Sequence, residues 1–117
     1  MKMQKPQSKR VQSMKSKKYH VLVDSLADQK FVSHLEFLAR VSEAAAMRLY
    51  ESREKALDFL EENPESCPLY VPERSTDVEL RYKMFGGRYR IVFTINGQMV
   101  YAYDTQDCRQ DSDKSLV

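Results

Sequence analysis

TDVELRYKMFGGRYRIVFTINGQMVYAYDTQDCRQD, residues 76–111, sets two glycine turns between apolar alternating runs. That is the pattern of three antiparallel strands joined by tight hairpins. Gly86-Gly87 and Asn96-Gly97 both tolerate positive φ at successive positions, as a two-residue type I′ loop requires. With such loops Phe85 lies opposite Arg88, Lys83 opposite Arg90 and Arg81 opposite Val92. The second turn sets Phe93 opposite Val100, Val92 opposite Tyr101 and Arg90 opposite Tyr103. Strand side chains alternate between faces. Val78, Leu80, Tyr82, Met84, Tyr89, Ile91, Phe93, Ile95, Val100 and Ala102 then share a face that other elements must cover. Arg81, Lys83, Arg88, Arg90, Tyr101 and Tyr103 gather on the opposite, open face. A slip of one residue would bury the charges and expose the aliphatics, so this register is expected to be strongly specified.

The elements that cover the apolar face lie upstream. Residues 19–24 (YHVLVD) are rich in β-branched apolar residues and read as a first strand. Ser25 is the expected cap of a helix near 25–40, with Asp28 at the capping-box position and Phe31, Leu35 and Leu38 at helical spacing. Ser42 caps a second helix, about 43–62, whose stripe is Ala46, Leu49, Tyr50, Leu57 and Leu60 and which stops at Asn63-Pro64. Residues 63–77 contain Pro64, Pro68 and Pro72 and read as irregular, with Leu69, Tyr70 and Val71 pinning them to the core. After Tyr103 the chain is expected to bend through 104–107, with a short helix following. The fold class is thus α+β: a two-layer βααβββ domain, its antiparallel sheet covered on one face by two helices.

The chain has 117 residues, room for one domain with a modest core. Residues 1–18 hold seven basic residues and no acid, and read as a disordered basic tail ahead of a single domain, 19–117. Met14 competes with Met1 as the start. The remainder has twelve basic against seventeen acidic residues, a net −5. A broad nucleic-acid-coating surface is excluded by that balance, and a local basic site is not. No apolar run is long enough to span a bilayer, and a cytoplasmic location is expected. Cys67 and Cys108 match neither a disulfide framework nor, with the two histidines, a zinc spacing. No metal or cofactor is expected.

The exit of the second helix, LDFLEENPESCPLY, the central GGRYRIVFTINGQMVY and the terminal DCRQD, taken in order and spacing, resemble the RelE/ParE toxin superfamily of bacterial type II toxin–antitoxin modules. The resemblance spans nearly all of 19–117. It implies a βααβββ domain with the first strand beside the last, and a cognate antitoxin as partner. RelE-like members cleave mRNA on the ribosome without metal; ParE-like members inhibit DNA gyrase by binding. The RelE-like pattern carries over to Arg81 and Lys83 on one strand, Arg90 on the next and Arg109 after the last. Its C-terminal tyrosine is missing, because residues 110–117 contain none.

Metal-free RNA cleavage needs a base for the 2′-hydroxyl, cations for charge developing on phosphorus, and an acid for the leaving oxygen. Lys83, with Arg81 and Arg90 beside it, has its charged form disfavoured and is the candidate base. Arg81, Arg90 and Arg109 are the candidate phosphate clamp, since guanidinium presents paired donors. Arg88, Tyr101 and Tyr103 are candidate RNA contacts, the tyrosines by stacking on bases. The expected function is therefore the toxin of a type II module, a ribosome-dependent mRNA endonuclease. A gyrase inhibitor and a degenerate toxin that binds only its antitoxin are the alternatives. Basic residues and tyrosines on an open sheet face are also commonly nothing more than its solvated side.

Overall fold

A computed structural model describes residues 18–72, 74 and 76–108. The elements run β1 (His20–Val23), α1 (Ser25–Val41), α2 (Glu43–Glu62), a 3-10 turn (Pro64–Ser66), β2 (Leu69–Tyr70), β3 (Leu80–Phe85), β4 (Tyr89–Asn96) and β5 (Met99–Asp107). The five strands form one sheet in the order β1-β5-β4-β3-β2. The class is α+β, as expected. The sheet is mixed, however, because β1 pairs parallel to β5. The basic tail, the alternative start at Met14, Arg109 and the C-terminal helix lie outside the described residues.

Local chemistry explains the helices. Asp24 donates its backbone N–H to Ala102 O at 2.9 Å, which holds it extended, with ψ 138°. Extended backbone is what an N-cap needs. Its carboxylate accepts from the N–H groups of Leu26 and Ala27, so Asp24 caps α1, and not Ser25. Ser42 caps α2 as expected, accepting from Ala45 N–H at 3.1 Å. Ala46, Leu49, Ala56, Leu57 and Leu60 of α2 and Phe31 of α1 are buried. All of these but Ala46 pack in one core with Phe85, Tyr89, Ile91, Phe93, Val100 and Ala102, which mark the helix-covered face of the sheet.

The first hairpin overturns the expected register. Phe85 lies opposite Tyr89, Met84 opposite Arg90, Lys83 opposite Ile91 and Arg81 opposite Phe93. The loop therefore holds three residues, Gly86, Gly87 and Arg88, with φ +59° and +84° at the glycines. Packing accounts for the extra residue. Phe85 and Tyr89 stack at 5.5 Å between ring centres, and Phe85 meets Phe31 edge-on at 5.8 Å. The alternation of β3 is consequently reversed. Arg81, Lys83 and Phe85 take the helix side, while Leu80, Tyr82 and Met84 take the other.

The second loop is Gly97-Gln98, with Asn96 opposite Met99 and Phe93 opposite Ala102. This shift of two residues preserves the faces. A bulge then sets Val92 opposite Asp104 and leaves Tyr103 as the extra residue. Beyond it β5 continues straight to Asp107, where a bend was expected. In the proline-rich connection, Tyr70 pairs with Leu80 and Leu69 with Arg81 in a two-residue edge strand. Leu69 and Val71 are exposed there, and neither pins the segment to the core. No described helix is long and apolar enough to cross a membrane.

Candidate functional site

The candidate residues divide between the two faces of the sheet. On the helix side, Arg81 Nη1 donates to the carbonyl oxygens of Cys67 at 2.6 Å and Glu65 at 3.3 Å, and Nη2 stands 3.5 Å from Glu79 Oε1. Its guanidinium thus ties β3 to the 3-10 turn. Lys83 carries its ammonium 4.2 Å above the Phe59 ring of α2. Both residues are half-buried. Cys67 is buried between them and the core. Burial pushes its thiol above the usual range, and the charges of Lys83 and Arg81 pull against that shift.

Nearby, the Tyr19 hydroxyl donates to Glu65 Oε2. That hydrogen bond to a carboxylate is the main reason its phenol is harder to ionise than usual. This corner holds two cations, a buried thiol and a tyrosine–carboxylate pair. Arg90 is not part of it.

Arg90 lies on the opposite face. Its Nε donates to Gln106 Oε1 at 2.7 Å, and its guanidinium carbon stands 4.9 Å from the Tyr70 ring centre and 5.7 Å from that of Tyr82. The Gln106 amide donates to Asp104 Oδ2 at 3.0 Å and to the Tyr70 hydroxyl at 3.2 Å. Asp104 is fully buried and accepts from Lys30 Nζ of α1 at 2.8 Å. Lys30 reaches it just beyond the point where β1 stops pairing with β5, at Ala102.

The remaining candidates are scattered. Arg88, in the turn, pairs with Asp107 at 2.8 Å and lies 5.1 Å from the Tyr89 ring centre. Tyr101 shares the face of Arg90, opposite Thr94, and Tyr103 is the exposed bulge residue. Arg109 lies outside the described residues. Lys83 and Arg90 are therefore not opposite one another, and the argument for Lys83 as a base loses its second arginine. The reason is the single extra residue in the Gly86-Gly87-Arg88 loop.

Tyr70, Tyr82, Asp104, Gln106 and Lys30 were missed as site residues. A signal for Tyr82 existed: a three-residue loop pairs two aromatics, Phe85 and Tyr89, where the two-residue loop pairs Phe85 with Arg88. Nothing in the order of residues joins Lys30 to Asp104, 74 positions apart. Compared with known proteins, the chain matches no family model and no curated protein.

Proposed function

We propose that this chain is the toxin of a type II toxin–antitoxin module and that it acts by binding a protein target, without cutting RNA. The toxin reading rests on the RelE/ParE-like strings at 57–70, 86–101 and 107–111. It is compatible with the element order and with β1 lying beside β5. The choice of binding over cleavage is carried by one observation: Arg81 and Lys83 stand on the helix side of the sheet and Arg90 on the other. Base and clamp must reach one phosphate together for the cleavage chemistry to work. Arg81 and Arg88 are moreover engaged by protein oxygens.

Exposed apolar side chains on α1 support a protein partner. Leu26, Phe37 and Val41 fall on one side of α1, where they are 61%, 58% and 75% exposed. Large apolar side chains aligned on one flank of a helix are a common mark of protein contact. DNA gyrase is the target that the resemblance offers, and the cytoplasm is where it would be met. The endonuclease reading keeps one favourable observation, the arginine and two tyrosines gathered on the face of the sheet away from α1 and α2.

Two assays on the purified full chain separate these readings. Gyrase supercoiling is expected to fall with added protein, while mRNA 5′-ends in a reconstituted translation reaction stay unchanged. New ribosome-dependent ends that vanish with Lys83→Ala or Arg90→Ala would overturn the binding mode in favour of cleavage. Normal supercoiling and intact message together would leave antitoxin binding as the only activity.

A further inference from the structure

Arg90 is half-buried and is anchored through its Nε. Its Nε is committed to Gln106, but among the described residues its two terminal amino groups meet no hydrogen-bonding partner. Gln106 is itself fixed by Asp104 and the Tyr70 hydroxyl, and the buried Asp104 is fixed by Lys30. The chain of bonds Lys30–Asp104–Gln106–Arg90 sets the plane of a guanidinium fork beside the rings of Tyr70 and Tyr82. Fixing a fork in advance lowers the entropy lost when it binds.

We propose that this fork receives one carboxylate, from an Asp or Glu side chain in an otherwise apolar, extended segment of a partner protein. Guanidinium and carboxylate match as paired donors and paired acceptors. Charge selects this occupant over RNA. A polyphosphate is held by several cations, whereas Arg81 and Lys83 point to the other face and Arg88 is paired with Asp107. The net −5 of residues 19–117 also opposes a long polyanion. A single carboxylate needs only the one fork. Met84, directly opposite Arg90 and 41% exposed, and Tyr82 beside it offer contacts for apolar neighbours of that carboxylate. Asp104 and Gln106 act through Arg90 and are positioning residues. The inference shares with the proposed function only the expectation of a protein partner.

The test uses the full chain, the side-chain Nε–H resonance of Arg90, and three probes. These are acetyl-Leu-Val-Asp-Val-Leu-amide, the same peptide with Asn for Asp, and a uridine hexanucleotide. The Asp peptide should shift the resonance saturably, and the Asn peptide should bind about 10-fold more weakly or worse. Arg90→Lys keeps the charge but loses the fork, and should weaken the Asp peptide by a similar factor. Gln106→Met should do so too, and should speed hydrogen exchange at Arg90 Nε, because it removes the acceptor of that N–H. Arg48→Lys, on the exposed side of α2, should bind as wild type. The inference is overturned by a shift that does not saturate, by equal binding of the two peptides, or by a hexanucleotide that binds more tightly than the Asp peptide. None of these results depends on gyrase or on mRNA, so the two readings fail separately.

Discussion

Gly86 meets two constraints at once, and they predict different outcomes at neighbouring positions. Its φ of +59° lies in the left-handed region, and an added Cβ would stand 2.7 Å from Leu49 Cδ1. Gly87 has φ +84° and open space around it. Gly86→Ala should therefore cost about 2 kcal/mol in urea unfolding, strain and displacement of Leu49 together, and Gly87→Ala about 1 kcal/mol from strain alone. Equal losses would mean that the α2 contact does not hold the turn. Cys67 gives a second test at this scale. Its folded thiol ionises above the ordinary range, so whatever stability this contributes is present below the unfolded thiol pKa. It is lost as pH rises through the folded value. Alkylation of Cys67 in the native protein should accordingly lag behind that of exposed Cys108 at every pH up to the alkaline range, and equal rates would contradict its burial.

The two helices are joined by an ion pair with an incomplete donor set. Arg53 of α2 is buried, donates from Nη2 to Asp28 of α1 at 3.0 Å and places its guanidinium carbon 4.5 Å from the Phe31 ring centre. Its Nε is buried without a partner. Arg53→Met keeps the stem against Phe31 and removes the orphan donor, so stability should change by less than about 1 kcal/mol. Arg53→Ala opens a cavity as well and should lose about 3 kcal/mol. Thermal unfolding of both variants decides whether packing or charge holds the helix pair. At the helix ends, Asp24→Ala and Ser42→Ala should each cost about 1 kcal/mol, since each removes a side-chain acceptor from backbone N–H groups. A loss at Ser42 alone would show that the Asp24 cap contributes little.

The whole molecule is tied across its layers by Lys30, which runs from the helix layer to a carboxylate with no solvent exposure. Lys30→Ala should destabilise the fold by about 3 kcal/mol, because it leaves the buried Asp104 short of its cation. A loss under about 1 kcal/mol in denaturant unfolding would show that Gln106 and other partners suffice. The same link joins α1 to the face of the sheet that carries Arg90.

Local chemistry on its own determined most of the elements. The 3.6-residue spacing and the Ser42 cap marked both helices, the alternating runs marked β3, β4 and β5, and the composition of 20–23 marked β1. These are short-range properties, and neighbours in the chain suffice to express them. Tertiary structure decided which residues share a face. Gly86-Gly87 can sit in a loop of two residues or of three. The choice was made by Phe85 stacking on Tyr89 beneath α1 and by Leu49 closing on Gly86. That one residue moved Arg81 and Lys83 away from Arg90 and brought Tyr82 to it. The β5 bulge likewise placed Asp104 and Gln106 beside Arg90, and Lys30 reached them from 74 residues away. Period-two alternation turns any single-residue choice of register into a change of face, and that choice was made by contacts between elements.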